Sequence, residues 1–285
     1  MKKIKISIPL STANLACGFD TFALALSLCN EYVFEVSEKD ELKGFLDKYN
    51  NSNNMCLSAF KETFSILNKD AMNVRITLNQ HIPNCGGLGS SANVIIAGVS
   101  AAYYFINGRI DKDEILKIAC KIEGHPDNVL AEVFGGLTSA IKFEDDIKYF
   151  KYDVSEELRF TLLIPPFSLN TKEMRACLPK EVSMKDAVFN ISRASNLVYA
   201  LKMGKIEDLV YLMDDKLHQQ YRIDKIKGAK EVQEYARKNN IAFAISGSGA
   251  SLLLVSKNGI KDNFNGFEKI ELKVNNEGLI LYEEN

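Results

Sequence analysis

A glycine- and serine-rich loop between a strand pattern and a helix pattern constrains the fold more than any other feature. The sequence PNCGGLGSSAN runs from Pro83 to Asn93. Before it, Val74, Ile76 and Leu78 alternate with other residues, as in a half-buried strand. After it, an apolar stripe at helical spacing comprises Ala92, Ile95, Val99, Ala102 and Ile106. The chain is therefore expected to contain a strand–loop–helix passage with a polar, glycine-rich turn.

This loop suits an anion although it contains no lysine or arginine. Walker A requires a lysine after the glycines and the dinucleotide fingerprint requires G-x-G-x-x-G, so neither motif is present. Glycines allow consecutive main-chain N–H groups to converge, and a helix N-terminus adds about half a positive charge. Ser90 and Ser91 add two hydroxyls. For this loop taken alone, a glycine-rich turn capped by Ser90 is the structural alternative.

Four polar residues around a proline form a second candidate group. The sequence EGHPDN holds all four side chains, Glu123, His125, Asp127 and Asn128. Pro126 interrupts the preceding helix pattern, so we expect this group at a helix–helix junction rather than along one solvated face. Mg²⁺ prefers oxygen ligands and takes one or two protein groups plus phosphates. A loop serine and Glu123 would therefore suffice to hold it.

Two further segments carry weaker signals. STANLACGFD places Asn14 and Asp20 on either side of Gly18, just before an apolar run. AISGSGASLLLV sets a Gly-Ser-Gly sequence between two apolar strands. That pattern is equally typical of a hairpin turn and of a ligand-binding loop.

Charge and composition argue against several classes of protein. The 285 residues include 35 Lys+Arg and 37 Asp+Glu, with no basic run, which disfavours nucleic acid as a partner. The six cysteines form no C-x-x-C pair, which favours reduced thiols over disulfides or zinc. The sequence has no signal-peptide core and no run of about 18 apolar residues. We therefore expect a soluble cytoplasmic protein with no membrane partner.

The order of strand and helix patterns predicts an α+β fold in both halves of the chain. Alternating isoleucines predict a first strand that ends at Pro9, and a second strand is predicted over 32–36. The length suggests two domains, at roughly 150 residues each. We place them at 1–155 and 156–285, although no linker composition marks the boundary.

Three of these segments together resemble the motifs of the GHMP kinase superfamily. PLSTANLACGFD is similar to its N-terminal motif, PNCGGLGSSA to its P-x-x-x-G-L-G-S-S-A phosphate loop, and SGSGAS to its C-terminal glycine motif. The middle motif is highly specific. The three follow in order from Pro9 to about Val255, so the resemblance covers nearly the whole chain.

Within the superfamily the sequence most resembles the homoserine kinases. EGHPDNV, SLNTKEMRACLP and DKLHQQYR are similar to segments of that family, and mevalonate and galactose kinases lack the last two. The sequence departs from the family pattern at Ala16-Cys17, Asn93, Gln220 and Ala250-Ser251. None of these departures removes a charged or metal-binding group. The first and last bear on loop stiffness and on the choice of acceptor.

The resemblance implies a two-domain GHMP kinase fold. Its N-terminal domain would be ribosomal-S5-domain-2-like, its C-terminal domain ferredoxin-like, and the active site would lie in the cleft between them. The implied reaction transfers the γ-phosphoryl group of ATP, with Mg²⁺, to the side-chain hydroxyl of L-homoserine. It gives O-phospho-L-homoserine and ADP for threonine biosynthesis. Dimers are common in the superfamily, so a homodimer is an open expectation.

Carried onto this sequence, the resemblance assigns ATP to the glycine loop. The predicted cofactor-binding residues are Pro83, Asn84, Cys85, Gly86, Gly87, Leu88, Gly89, Ser90, Ser91, Ala92 and Asn93. Ser91 and Glu123 are the predicted Mg²⁺ ligands. Phosphoryl transfer asks mainly for positioning and charge neutralisation, which the loop amides and the metal would supply.

A zwitterionic acceptor needs a cation for its carboxylate and an anion for its ammonium group. Arg175 and Arg222 offer bidentate grips on the carboxylate, and Asp20 and Asp127 could hold the ammonium. The full predicted substrate-binding set, with Asn14 or Asn128 orienting the hydroxyl, is Asn14, Asp20, His125, Asp127, Asn128, Thr171, Arg175, Arg222 and Gly247.

The predicted catalytic residues are Glu123, His125, Asp127 and Asn128. Whether a side-chain base acts is open, because Asp127, His125 or the phosphate itself could take the acceptor's proton. A kinase for another small hydroxy acid (mevalonate, shikimate or pantoate) is one alternative function. A non-catalytic sensor of ATP and a ligand on the same fold is another, although Glu123 and the serine loop are both present.

Overall fold

Two β-sheets organise the part of the chain that the computed structural model describes, residues 3–83, 85–143 and 146–284. The strands are β1 (Lys3–Ala13), β2 (Phe22–Val36), β3 (Glu41–Lys43), β4 (Val74–Asn79), β5 (Leu137–Phe143), β6 (Asp146–Tyr152), β7 (Arg159–Ile164), β8 (Ala242–Ile245), β9 (Leu252–Ser256), β10 (Glu268–Leu272) and β11 (Ile280–Glu284). The helices are α1 (Met55–Ile66), α2 (Ser90–Asn107), α3 (Lys112–Glu123), α4 (Pro126–Phe134), α5 (Thr171–Ala176), α6 (Met184–Met203), α7 (Ile206–Leu212), α8 (Gln219–Arg222) and α9 (Ala229–Lys238).

The first sheet has the order β11-β1-β2-β4-β3, and β5 joins the start of β2 to β6. Its pairs are antiparallel except β3–β4. Ile4, Ile6 and Ile8 are buried and alternate with more exposed residues, as the sequence predicts for one strand face. They pack in one cluster with the apolar residues of α1 to α4. These helices therefore cover one face of the sheet.

Both N-terminal strands are longer than predicted. β1 continues past Pro9 to Ala13, because a register shift between Pro9 and Leu10 lets its pairing with β2 resume beyond the proline. β2 begins at Phe22 rather than near residue 32. Its first five residues are all buried, so no alternation of apolar and polar residues marks them in the sequence.

The second sheet is antiparallel, with the order β10-β7-β9-β8. In chain order its strands therefore lie 4-1-3-2, the ferredoxin-like arrangement that was expected. Helices α5 to α9 fall between β7 and β8. Both faces are buried: Leu162 lies in a cluster with Leu197 of α6, and Leu163 lies in another with Val232 of α9. The α+β fold is confirmed.

The two sheets are joined through their cores and by the end of the chain. Leu10 and Leu24 of the first sheet lie in the same apolar cluster as Leu162 of the second. Ile280–Glu284 returns to the first sheet and pairs with β1, so a division at 155/156 does not hold for this last strand. None of the described helices combines the length and apolar character needed to cross a bilayer.

Candidate active site

The glycine loop and the start of α2 form one wall of a cavity of about 180 Å³. The N-cap of α2 is Gly89, in the left-handed region at φ 72°, and no side chain caps the helix. Ser90 is the first helical residue, so the expected alternative, a turn capped by Ser90, is not what the structure contains. A Cβ at Gly89 would clash with the Glu132 carboxyl and the Ser11 hydroxyl. The uncapped amides of α2 are thus free to bind an anion.

The β8–β9 hairpin holds the loop from the other side. Ser246 Oγ donates to the Gly87 carbonyl at 2.6 Å, and Ser251 Oγ donates to the Gly86 carbonyl at 3.0 Å. These bonds keep two carbonyls, which would repel an anion, on the hairpin side. Gly247 and Ser248 at the hairpin turn also line the cavity. The SGSGAS segment is therefore both a hairpin turn and part of the site.

Ser91 and Glu123 bring two side-chain oxygens together beside the loop. Ser91 Oγ donates to Glu123 Oε2 at 2.8 Å. Burial raises the pKa of Glu123, the Ser91 hydrogen bond opposes that shift, and Asp127 adds to it. Within the described ranges, no three His, Cys, Asp or Glu side chains cluster as a metal site. The hydroxyl and carboxylate fit Mg²⁺ that takes its remaining ligands from phosphates and water.

An ion pair between distant segments also lines the cavity. Arg175 of α5 donates to Asp20 through two nitrogens, each bond 2.9 Å long. The hydrogen bonds to Asp20 raise the pKa of Arg175. Asn14 fixes Asp20 by accepting from its main-chain N–H at 3.0 Å, and its own amide donates to the Gly247 carbonyl at 2.7 Å. An anionic and a cationic side chain therefore meet where an acceptor could enter.

A second arginine, Arg222, is 1% exposed yet lines the same cavity. Its Nε donates to Met174 O at 3.1 Å, and its Nη1 donates to Gly247 O and to His218 Nδ1. Because Arg222 can only donate, His218 Nδ1 must accept from it. His218 Nε2 therefore carries the ring proton and donates to Ala16 O at 2.9 Å. Burial lowers the pKa of His218, which keeps it neutral. Arg222 Nη2 enters none of the hydrogen bonds between described residues and is left for a ligand.

The first turn of α4 places three of the predicted catalytic side chains on the cavity wall. Pro126 occupies the first turn, as helix starts favour, and His125 is the N-cap without a side-chain cap bond. Asp127 is buried and accepts from the Asn128 main-chain N–H at 2.8 Å. Burial raises the pKa of Asp127; that hydrogen bond lowers it, and Asp20 raises it further. Asn128 Oδ1 accepts from Ser11 Oγ at 2.8 Å.

The structure brings most of the predicted site residues to this one cavity. The predicted residues that line it are Asn14, Asp20, Cys85, Gly86, Gly87, Gly89, Ser90, Ser91, Ala92, Glu123, His125, Asp127, Asn128, Thr171, Arg175, Arg222 and Gly247. Pro83 is not part of its lining. Leu88 and Asn93 are 0% exposed, so their side chains shape the loop from the core rather than face a nucleotide. Asn84 lies outside the described residues.

A second, more apolar cavity of about 320 Å³ adjoins the first through Ser90 and Ser91, which line both. Its apolar lining includes Phe45, Leu46, Tyr49, Met55 and Val94. The shared serines make the two cavities neighbours across the phosphate loop. This arrangement suits a ligand with a flat apolar part and an anionic tail.

Comparison with known proteins agrees with this geometry. A family model described as GHMP kinases N terminal domain matches residues 54–136. A homoserine kinase of Clostridium botulinum (strain Langeland) is 33% identical over 291 residues, covering 98% of each chain. A homoserine kinase of Clostridium acetobutylicum is 38% identical over 258 residues, covering 88% of this chain and 87% of the relative. The chain belongs to the homoserine kinase family of GHMP kinases.

A solved structure supports the fold of this GHMP kinase. The crystal structure of homoserine kinase from Cytophaga hutchinsonii superposes with a TM-score of 0.85 at 23% identity, covering 99% of this chain and 98% of the other. At that identity the likeness speaks for the fold. The two-domain GHMP architecture predicted from the motifs is thereby confirmed.

Several side chains that build the site of this kinase were not singled out from the sequence. Ser246 secures the loop, His218 sets the donors of Arg222, and Ser11 and Glu132 pack beneath Gly89. His218 lies within the recognised DKLHQQYR segment, so its position was a signal. Glu132 carried none, because a glutamate in a helical pattern normally predicts a solvated face.

Proposed function

We propose that this GHMP kinase transfers the γ-phosphoryl group of ATP to the side-chain hydroxyl of L-homoserine, giving O-phospho-L-homoserine and ADP. The observation that carries the proposal is the Asp20–Arg175 pair beside Arg222, in the same cavity as the uncapped start of α2. A free amino acid presents both charges, whereas mevalonate has no ammonium group to engage Asp20. The function therefore follows from the charges at one end and the anion site at the other.

At the nucleotide end, the apolar cavity would take the nucleoside and the loop amides would bind the phosphates. Ser91 and Glu123 would hold Mg²⁺, which, when bound, neutralises the phosphate charge and orients the transferred group. The hairpin serines keep the loop in shape for this purpose. No basic side chain of the loop itself is needed.

At the acceptor end, the substrate would enter the Asp20–Arg175 pair by exchange. Its ammonium group replaces the guanidinium at Asp20, and its carboxylate replaces the aspartate at Arg175. Arg222 adds its remaining Nη2 donor to the carboxylate. Asp20 already binds a cationic group and Arg175 an anionic one. Substrate binding would therefore exchange one set of charge-assisted hydrogen bonds for another.

The proton of the acceptor hydroxyl has three candidate destinations. Asp127, whose pKa burial raises, or His125 could take it as general base, or the transferred phosphate could. Asp127→Asn tests the first of them. If Asp127 is the base, kcat falls by about two orders of magnitude or more, and a near-normal kcat removes Asp127 from this role.

A coupled assay of ADP release tests the function. L-homoserine, D-homoserine, L-threonine and mevalonate are compared as acceptors with Mg²⁺ and ATP present. We expect the highest kcat/KM for L-homoserine, since among the four it alone combines both charges, a primary hydroxyl and the L configuration. Faster turnover of mevalonate would move the assignment to another hydroxy acid. Tight ATP binding without ADP release would indicate a sensor.

The outer face of α6 supports a homodimer. Its exposed apolar residues follow three- and four-residue spacing, broken once, along the whole helix: Met184, Val188, Ile191, Tyr199 and Met203. Met184 is 79% and Ile191 66% exposed, which is costly for a free surface. We propose that a second copy covers this stripe, with the two α6 helices antiparallel about a twofold axis. Light scattering should find a dimer that Ile191→Glu converts to monomer and Ile141→Glu, at an exposed strand position, does not.

A further inference from the structure

A buried chain of hydrogen bonds leads from the core to the cavity, and two of its members, Ser11 and Glu132, have no catalytic or binding role assigned so far. Ser11 Oγ lies 2.8 Å from Asn128 Oδ1 and 2.6 Å from Glu132 Oε1. Ser11 and Glu132 are both 0% exposed, whereas Asn128 lines the cavity. A carboxyl group inside the core is thus connected through one hydroxyl to a side chain that faces the substrate.

Asn93 fixes the inner end of this chain. Its Oδ1 accepts from the Tyr32 hydroxyl at 2.9 Å and from the Asn30 amide at 3.3 Å. Asn93 must therefore turn its Nδ2 toward Glu132 Oε2, 3.2 Å away, so Oε2 is an acceptor. Asn93 stands where the family motif has alanine. The network accordingly includes one residue, Asn93, that departs from the family motif.

A count of the protons in this chain indicates the protonation state of Glu132. Ser11 has one hydroxyl proton and can donate it to only one of its two neighbours. With a proton on Glu132 Oε1, Glu132 donates to Ser11 and Ser11 donates to Asn128 Oδ1, so every group has a partner. With Glu132 ionised, Ser11 would donate to the carboxylate, and the Asn128 amide would have to turn its Nδ2 from the cavity to Ser11 to keep a partner. With Asn128 Oδ1 toward Ser11, as the structure has it, the neutral acid alone satisfies the whole chain.

The surroundings of Glu132 also favour the neutral form. No ion pair of the described residues includes Glu132, and an isolated charge is costly in an apolar interior. Burial raises the pKa of Glu132 well above its usual range. The hydrogen bonds that Glu132 makes with Ser11 and Asn93 oppose that shift, and the carboxylates Glu123 and Asp127 add to it. The charged neighbours that bear on Glu132 are therefore both anions.

We propose that Glu132 is a positioning residue for phosphoryl transfer. As a neutral acid it holds Ser11, and through Ser11 it holds the Asn128 amide with Nδ2 facing the cavity. There Nδ2 donates to the oxygen of the acceptor hydroxyl and keeps it aligned with the phosphoryl group. This inference rests on the proposed kinase function, since it specifies how that function positions its acceptor.

Kinetics of three variants test the relay. Ser11→Ala should lower kcat about tenfold and leave KM for ATP and for homoserine within about twofold, because alignment rather than binding is lost. Glu132→Ala should have the same effect on kcat. Glu132→Gln should restore most of that loss, because its amide can donate to Ser11 and accept from Asn93 as the neutral acid does. The matched control is Ser100→Ala, which removes a buried hydroxyl of α2 that has no hydrogen-bond partner among the described residues.

Infrared spectra test the protonation state without any turnover. At pH 7 the wild-type protein should show the C=O band of a buried carboxylic acid that is missing from Glu132→Gln. Wild-type kcat in Ser11→Ala, a Glu132→Gln variant as slow as Glu132→Ala, or no such acid band would each overturn the inference. Wild-type protein that releases no ADP with any acceptor would instead refute the proposed function. In that case the infrared result still decides the state of Glu132.

Discussion

The two ends of the cavity are built in different ways. The nucleotide end is a contiguous stretch of main chain around Gly86–Ser91, shaped by glycines and held by hairpin serines. The acceptor end is made of charged side chains from segments far apart in sequence, Asp20 and Arg175 among them. Main-chain amides suit any phosphate, whereas a set of opposed charges suits one class of acceptor. Under the proposed function, the first end accounts for the kinase chemistry and the second for the specificity.

The largest effect should come from adding one methyl group to the main-chain end. Gly87 has φ 89°, and a Cβ there would clash with the main-chain carbonyl of Ser246, which cannot move without the hairpin. Gly87→Ala should lower kcat/KM for ATP by about 100-fold or more, since small misplacements of reacting groups are that costly. Steady-state kinetics with varied ATP measure the loss.

Gly108→Ala is the matched control for that variant. Gly108 has a similar left-handed φ of 68°, but nothing lies within 4 Å of its Cβ position. Its activity should stay close to wild type, with a cost in stability of about 1 kcal/mol. Equal kinetic losses in both variants would show that backbone strain, not the fit against the hairpin, controls the loop.

The next effect should separate the acceptor end from the nucleotide end. Arg175→Lys keeps the charge but loses the two-nitrogen grip seen on Asp20. We expect KM for homoserine to rise about 10- to 100-fold while KM for ATP stays within about twofold. Arg237→Lys, at an exposed arginine, should change neither. A parallel rise in KM for ATP would contradict the division of the cavity.

The metal pair should give a smaller, selective change. Glu123→Gln removes the carboxylate that now accepts from Ser91. The Mg²⁺ concentration for half-maximal rate should rise at least about tenfold, while saturating Mg²⁺ restores part of the activity. Titration of the initial rate with Mg²⁺ at fixed ATP measures this. An unchanged titration curve would remove Glu123 from the metal site.

The smallest effect concerns stability and the buried acid. The pKa of Glu132 is raised above its ordinary value of 4.5 in the folded protein, so folding favours its protonated form. Its contribution is fully present below that ordinary value and is lost as the pH rises toward the folded pKa. The melting temperature of Glu132→Gln relative to wild type should therefore increase from pH 4 to pH 8. The exposed Glu62→Gln should show no such trend.

The nucleotide end is easier to predict from the sequence than the acceptor end. The glycine loop and the helix after it form one short motif, so its place in the site could be read directly. Arg175 and Arg222 could be assigned only through a family resemblance, because their meeting depends on how α5 and α8 pack. The long β2 escaped prediction because its first residues are buried on both faces. The proton network at Glu132 depends on contacts between residues 121 positions apart, which no local pattern encodes.

The most direct test of the central claim is a crystal structure with a non-hydrolysable ATP analogue, Mg²⁺ and L-homoserine. The account predicts phosphates against the amides between Gly86 and Ser91, Mg²⁺ on Ser91 and Glu123, and the amino acid between Asp20 and Arg175. Phosphates bound by Arg175 and Arg222, away from the glycine loop, would contradict it.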